Sequence, residues 1–145
     1  MKLSETRLFK NTRVDLSNVN IIEFPSKFTI ATEGEQSLKL GIVLEGKVRV
    51  KAYSLGGKNF TLNTLRPGQC FGDVLIYGKK DKSYPGTLIT KGITKVALIP
   101  NDIFEQFLLN DKDLLMNYLA LLSEKAYEMN MKSKLLSQDS IRDKI

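Results

Sequence analysis

The segment at residues 71–90, FGDVLIYGKKDKSYPGTLIT, contains residue types that could hold a phosphate. Among its flexible and charged members are Gly72, Asp73, Lys79, Lys80 and Lys82. A turn led by glycine that opens a helix presents backbone N–H groups to an anion, and such sites usually add a cationic side chain that pairs with it. No cation stands at residues 83–87, later in the segment. The segment therefore resembles a phosphate-binding loop that lacks part of the usual charge.

The chain contains no histidine and one cysteine, Cys70. Imidazole is the usual general base near neutral pH and the commonest metal ligand, and an iron–sulfur cluster normally needs four thiolates. Asp73 has no evident partner for a two-carboxylate mechanism, so its expected role is to cap the short helix that follows or to bond the loop. We therefore expect no enzyme, no metal and no cofactor, and we interpret Cys70 as a small core residue rather than a redox sensor.

The length of the chain favours one compact domain, and the distribution of its charges favours an ordinary solvent-exposed surface. The chain has 145 residues, 42% of them hydrophobic, which is enough to bury a core. Its 22 Lys and Arg exceed its 16 Asp and Glu by six, but apart from the lysines of residues 79–82 they are scattered, which does not indicate nucleic-acid binding. Residues 1–13 lack the apolar run of a signal peptide, and no stretch approaches the roughly 20 apolar residues of a membrane span. We expect a cytoplasmic protein with no membrane partner.

Short apolar runs between residues 19 and 99 indicate β-strands. The run at residues 47–53 alternates strictly, with Val48, Val50 and Ala52 facing one way, so one face is buried and the other is wet. Other runs occur at residues 20–24, 28–31, 39–44, 60–65, 87–90 and 93–99, and adjacent glycines at 56 and 57 predict a tight hairpin turn. Many short strands separated by glycine predict a barrel or jelly roll.

After Pro100 the apolar period lengthens to nearly four, which indicates helices. Asn101 is expected to cap a short helix, and Asp111 a longer one that nothing interrupts before about Ser137. The short helix should turn one apolar side toward the barrel, formed by Ile103, Phe104, Phe107 and Leu108.

The longer predicted helix has more apolar surface than a small barrel can cover. Leucines at 114, 121 and 135 form one stripe, and an adjoining stripe repeats every seven residues with small residues that permit close approach of a second helix. We therefore expect a two-fold homodimer through this helix. Its predicted interface residues are Leu115, Leu119, Leu122, Ala126, Met129, Ser133 and Leu136. The alternative is a helix that lies entirely on its own domain.

Three runs of residues resemble the glycine-punctuated β-roll of the cyclic-nucleotide-binding superfamily. They are Gly34-Glu35, IVLEGKVRV at residues 42–50 and LRPGQCFGD at residues 65–73. The long helix that follows, ending in SIRDKI at residues 140–145, is similar in particular to the Crp/Fnr transcription regulators of bacteria. The resemblance covers residues 19–145. It implies a fold that is mainly β with α, a double-stranded β-helix or jelly roll followed by a long dimerisation helix.

The resemblance also implies an effector site under the segment that starts at Gly72. In the cyclic-nucleotide binders of the family, a glutamate after this glycine takes the ribose hydroxyl, and an arginine followed by small residues holds the phosphate. Here Asp73 replaces the glutamate, and residues 83–87 offer no arginine. We expect a small-molecule effector other than a cyclic nucleotide, bound by Gly72, Asp73, Val74, Leu75, Tyr84, Pro85, Gly86 and Thr87. Alternatively, the bulky side chains at residues 74–77 fill the site.

The resemblance divides the chain into three parts. Residues 1–110 would form the effector-binding roll with short flanking helices, residues 111–137 the dimerisation helix, and residues 138–145 the start of a winged helix-turn-helix domain that is absent from this chain. Ser140 would cap the first helix of that domain. The expected function is a sensor that signals through the long helix to this DNA-binding domain. The alternative is a structural dimerisation module with an occluded pocket and no ligand.

Overall fold

The computed structural model describes residues 1–53, 55–77 and 82–143, and only the backbone at residues 132, 133 and 135–143. Its elements are β1 (Asn20–Phe24), β2 (Thr29–Ala31), β3 (Lys39–Tyr53), β4 (Asn59–Leu65), β5 (Cys70–Phe71), β6 (Thr87–Pro100), α1 (Asn101–Asn110) and α2 (Lys112–Asp143). Single 3-10 turns lie at Leu3–Glu5 and Asp73–Leu75. The predicted order of strands followed by two helices is confirmed.

Two long strands, β3 and β6, run the length of the roll. They pair antiparallel from Lys39 opposite Pro100 to Lys51 opposite Thr87. Each also changes its second partner along its length: β6 pairs with β2 and then β1, and β3 pairs with β5 and then β4. Such shared strands let one six-stranded antiparallel sheet fold over into a jelly roll, so the predicted fold class is confirmed. The runs at 39–44 and 47–53 are parts of one strand, as are those at 87–90 and 93–99.

A bulge at Gly46 exchanges the two faces of β3. The register against β6 shifts on both sides of Glu45, and Gly46 has φ +79°. A Cβ atom on Gly46 would lie 2.5 Å from the carbonyl oxygen of Ile93, so a side chain does not fit. Before the bulge, the side chains that pack against the helices are those of Leu40, Ile42 and Leu44. After the bulge, Val48 and Val50 point into the roll, and the opposite face carries the half-buried side chains of Lys47, Arg49 and Lys51.

The N-terminal segment, residues 1–18, helps to attach the helices to the roll. Leu8 and Phe9 are fully buried, and the Phe9 ring meets the Phe104 ring edge-on at a centroid distance of 6.3 Å. The Asn117 side chain of α2 donates hydrogen bonds to the carbonyl groups of Leu8 and Lys10 at 3.0 Å each. An ion pair between Arg7 and Glu124 adds a further link to α2. This segment, for which no role was predicted, therefore contributes side chains such as Leu8 and Phe9 to the core.

The ends of the helices differ in part from those predicted. Asn101 is the first residue of α1 and makes no capping bond; its side-chain amide donates to the Ser37 carbonyl at 3.1 Å, so its predicted capping role is wrong. Asp111 does cap α2, because its Oδ1 accepts from the backbone N–H of Asp113 at 3.0 Å and of Leu114 at 3.1 Å. Its Oδ2 accepts from the N–H of Arg13 at 2.8 Å.

Helix α2 is longer than predicted. It runs for 32 residues to Asp143 without the break expected near Ser137, and Ser140 lies within the helix rather than at the cap of a new one. The winged-helix domain predicted to follow stays a prediction. Neither α2 nor another helix in the described ranges combines the length and apolar character needed to cross a membrane.

Candidate functional site

Gly72 brings the chain from β5 into the candidate effector segment. It has φ +76°, and a Cβ atom here would lie 2.7 Å from the Lys39 carbonyl oxygen and 2.8 Å from Ser37 Oγ. A side chain would therefore be both strained and obstructed, which explains the glycine. The 3-10 turn Asp73–Leu75 follows directly, as the resemblance implies.

The carboxylate of Asp73 is bound to α2. Its side chain is only 2% exposed, and Oδ2 accepts a hydrogen bond from Lys125 Nζ at 2.6 Å. The Asp73 carbonyl accepts from the Tyr118 hydroxyl at 2.7 Å, and Lys125 also donates to the Cys70 carbonyl at 3.3 Å. The turn has no side-chain cap, so the expected capping role of Asp73 is wrong. Two side chains of α2, those of Lys125 and Tyr118, thus hold the start of the candidate effector segment.

The bulky residues of the segment divide between protein and solvent. Leu75 packs against the core inside the roll, and Ile76 is buried in the core under the helices. Val74 and Tyr77 are more than half exposed, although the Tyr77 ring approaches Tyr118 with centroids 6.5 Å apart. Among the four, Leu75 alone contacts the interior of the roll, so the hypothesis that residues 74–77 fill the site applies to one side chain.

Tyr84 occupies the interior of the roll. It is 8% exposed and packs with apolar side chains of β3, β5 and β6, including Val48, Phe71 and Leu88. Its backbone bonds to the loop before β3, donating to the Glu35 carbonyl at 2.9 Å and accepting from the Gly34 N–H at 3.0 Å. Burial raises the pKa of Tyr84, and the phenol is therefore neutral in this environment. A neutral aromatic ring therefore stands in the segment, residues 83–87, where the family resemblance implies an arginine.

The remaining predicted site residues pack or bond with neighbouring parts of the roll, and none of them provides a positive charge for a phosphate. Gly86 is buried, and a Cβ atom there would lie 2.8 Å from Val50 Cγ1, while Pro85 is exposed. Thr87 Oγ1 accepts a hydrogen bond from the Glu33 N–H at 3.0 Å. Lys82, which could have approached a phosphate, donates from Nζ to the Ile76 carbonyl at 3.1 Å. Lys79 and Lys80 lie outside the described residues.

The structure therefore brings only part of the predicted site together. Leu75, Tyr84 and Gly86 meet in or beside the core inside the roll, whereas Asp73 faces α2. Lys125 and Tyr118, which lie 52 and 45 positions away from Asp73, were not among the predicted site residues. No local pattern marks either residue as its partner, because the contact depends on how α2 lies against the roll.

Cys70 is buried beside this site. Burial raises the pKa of its thiol to about 12, with the nearby Asp73 carboxylate adding to the rise. A thiol with this pKa is protonated at neutral pH and a poor nucleophile. This environment agrees with the interpretation of Cys70 as a core residue.

Helix α2 has one apolar face on its own domain and another in solvent. Leu114 and Tyr118 are buried against the roll, with half-buried Leu121 and Leu122 beside them. Of the predicted interface residues, Leu115, Leu119, Ala126 and Met129 are exposed, with Leu119 at 47%. Leu122 differs because it packs partly against its own core, and the side chains of Ser133 and Leu136 lie outside the described residues. Pairing of the exposed face with a second copy stays a prediction.

Comparison with known proteins gives consistent matches. A family profile described as "Cyclic nucleotide-binding domain" matches residues 21–111. The chain is 28% identical over 123 residues to the cyclic AMP receptor protein of Thermus thermophilus, which covers 84% of this chain and 56% of that protein. The chain thus spans about half the length of this relative. The curated proteins that match are transcription regulators rather than enzymes.

Solved structures show the same fold. The catabolite activator protein of Thermus thermophilus superposes with a TM-score of 0.77 at 24% identity, over 91% of this chain and 63% of that chain. The sensor domain of the transcriptional regulator DNR from Pseudomonas aeruginosa superposes with a TM-score of 0.72 at 15% identity, over 87% of each chain.

Proposed function

The chain belongs to the cyclic nucleotide-binding domain family, with Crp-like regulators among its relatives, and on this premise we propose that it is the sensor and dimerisation domain of a Crp/Fnr-like transcription regulator. It acts in the cytoplasm, binds a small-molecule effector other than a cyclic nucleotide, and signals through α2 to a C-terminal DNA-binding domain. The observation that carries the proposal is the double role of α2. One face holds the effector segment through Lys125 and Tyr118, and another leaves Leu119 and its neighbours exposed.

The contacts of α2 supply a route for the signal. A helix is stiff, so a displacement of Asp73 that is passed to Lys125 and Tyr118 moves α2 as a whole. Effector binding that shifts residues 72–77 would then alter the angle between the two α2 helices of a dimer. This is a coupling between two sites, the effector segment and the DNA-binding domain.

Three features oppose a cyclic nucleotide as the effector. The interior offers the neutral Tyr84 in place of an arginine, and a phosphate loses the charge-assisted, bidentate pair on which tight binding depends. Lys82 is already bonded to a carbonyl group. The carboxylate of Asp73 is held by Lys125 of α2 through Oδ2 and so faces the helix rather than the interior of the roll.

We expect cyclic AMP and cyclic GMP to bind this chain with Kd values above about 1 mM. Such a Kd corresponds to a binding free energy of less than about 4 kcal/mol in magnitude. Isothermal titration calorimetry measures this directly. The cyclic AMP receptor protein of Thermus thermophilus is the positive control, titrated under the same conditions with cyclic AMP. A micromolar Kd for either nucleotide would show that this part of the proposal is wrong.

Replacing Leu119 with lysine should convert a dimer into a monomer. An unpaired ammonium group in an apolar interface is costly, and a two-fold dimer contains it twice, so we expect the dimer Kd to rise at least about 100-fold. Light scattering after gel filtration should report twice the 16.4 kDa chain mass for the wild type and a single chain for Leu119→Lys.

The matched control for Leu119→Lys is Ile93→Lys, which introduces the same charge at an exposed apolar position on β6, away from α2. This variant should remain dimeric. The dimer proposal fails if the wild type is monomeric at micromolar concentration, or if both variants dissociate equally.

The burial of Tyr84 favours a second candidate function, a structural dimerisation module whose pocket is filled by its own side chain. Thermal-shift screening against nucleotides, 2-oxo acids and haem precursors separates the two. A rise in Tm with one compound supports the sensor, and its absence throughout the panel supports the module.

A further inference from the structure

The outer surface of the roll carries a cluster of cations where the helices do not cover it. We call it the basic face, and its members are Lys47, Arg49, Lys51, Arg66 and Lys91. In the sequence these residues are scattered charges, because they lie on three separate stretches of the chain. The folded sheet brings them together.

The register of the strands places these side chains on one face. Val48 is fully buried and points into the roll, so its neighbours Lys47 and Arg49 point outward, as does Lys51 two residues on. Lys91 of β6 lies directly opposite Lys47 and shares its face. Arg66 is exposed and directly follows Leu65, the buried partner of Val48 on β4.

The basic face has little compensating negative charge. None of its five cations makes an ion pair with a carboxylate in the part of the chain that the structure describes, where the pairs are Arg7–Glu124, Lys95–Glu45 and Lys125–Asp73. Strands β3, β4 and β6 together contain one acidic residue, Glu45. Without these five residues the 22 cations of the chain fall to 17 against 16 acidic residues. The basic face thus accounts for nearly all of the net charge of +6.

The chemistry of the basic face fits a phosphate backbone better than a protein surface. Protein interfaces are depleted in lysine and rely on central aromatic anchors. Here the strand partners of Arg49 and Lys51 are Thr61, Thr64, Thr87 and Ile89, and the exposed Tyr53 on the same face lies beyond Lys51, at the end of β3. From Lys47 to Lys51 the strand spans about 13 Å, over which one strand of duplex DNA carries about four phosphates. Three cations along β3, with Lys91 on β6 and Arg66 directly after β4, match that density of charge.

We propose that the basic face binds the backbone of duplex DNA without regard to base sequence. This goes beyond the proposed function, in which a separate C-terminal domain reads the DNA. The basic face would add contacts to DNA beside the operator. Such contacts raise affinity and association rate but carry no sequence information, because they involve phosphates alone.

The test uses this chain and fluorescein-labelled 20-base-pair duplexes of two unrelated sequences, with binding followed by fluorescence anisotropy from 20 to 200 mM salt. Both duplexes should bind equally, and log K should fall against log salt with a slope of about −4.5, for five phosphate contacts. We expect the variant that combines Lys47→Glu, Arg49→Glu and Lys51→Glu to lose at least about 100-fold in affinity at 20 mM salt. The slope of log K against log salt should decrease in magnitude by about 3, because three phosphate contacts are lost.

The matched control carries Lys10→Glu, Lys112→Glu and Lys134→Glu, which replace three exposed lysines outside the basic face. Its net charge equals that of the triple glutamate variant of the basic face. It should lose less than about threefold, with an unchanged slope. If the glutamate variant of the basic face does not fold, as judged by circular dichroism, the glutamine variant at the same three positions replaces it and should lose about 10-fold.

Three results would overturn the inference. They are no binding of either duplex at 20 mM salt, equal loss in the control and basic-face variants, and binding of polyglutamate in place of DNA. The last would indicate an acidic protein as the partner. Because the effector titrations and the dimer assay do not involve these residues, failure here is distinguishable from failure of the proposed function.

Discussion

Replacing Lys125 with alanine should lower the free energy of unfolding by about 3 kcal/mol. The substitution leaves the buried Asp73 carboxylate without its counter-ion, and removal of one partner from a buried pair typically costs about 3–5 kcal/mol. The lysine is one-third exposed, which allows water to replace part of the interaction and places the expected loss at the lower end of that range. Urea denaturation followed by circular dichroism measures the change.

The controls separate the ion pair from general effects on the helix. Lys134→Ala removes an exposed lysine from the same helix and should cost less than about 0.5 kcal/mol. Adding Asp73→Asn to Lys125→Ala removes the orphaned charge and should restore part of the lost stability, which a double-mutant cycle quantifies. If Lys125→Ala is as mild as Lys134→Ala, the contact does not hold the effector segment to α2 in solution.

Phe104→Ala should cost about 4 kcal/mol, the largest loss that we expect from a single side chain. Phe104 is fully buried and lies between Phe9 of the N-terminal segment and Tyr118 of α2, with ring centroids at 6.3 and 5.3 Å. Truncation removes both aromatic contacts and leaves a cavity, and Phe-to-Ala changes in cores typically cost about 3–5 kcal/mol. Amide hydrogen exchange should also show lost protection at residues 3–9 and at the start of α2, because both pack on this ring.

The matched control is Phe60→Ala on β4, where the ring is half exposed. It should cost less than about 1 kcal/mol, because most of its surface already contacts water. Equal destabilisation by the two substitutions would contradict the role of Phe104 in attaching α2. A loss at Phe104 without any change in hydrogen exchange at α2 would contradict it as well.

Most of the fold could be predicted, because the sequence patterns that specify its strands and helices are local. The alternation around Val48 and Val50 predicted a strand with one buried face, and the longer period after Pro100 predicted helices. Asp111 is a correct N-cap prediction, since a carboxylate one residue before a helix can reach its first free N–H groups. Asn101 is an incorrect one, because its amide finds a tertiary partner in the Ser37 carbonyl.

The candidate site could be predicted only in part. The resemblance located the turn at Gly72 and the missing cation at residues 83–87, and the structure places Tyr84 in the interior there. It did not indicate that Asp73 faces away from this interior toward Lys125. A side chain that follows a turn can point to either side of a sheet, and packing against a distant helix selects one of them.

The sequence by itself determined the types of elements, their order and the jelly-roll class, because hydrophobic period, turn glycines and helix caps act over a few residues. The tertiary structure alone decided which residues meet across the chain. The bulge at Gly46 turns Lys47 and its neighbours outward beyond the helices, and the pairing of β3 with β6 sets Lys91 beside them. The position of α2 likewise brings Lys125 to Asp73. These contacts depend on strand register and helix packing, which form only when the whole roll closes, so no local pattern encodes them.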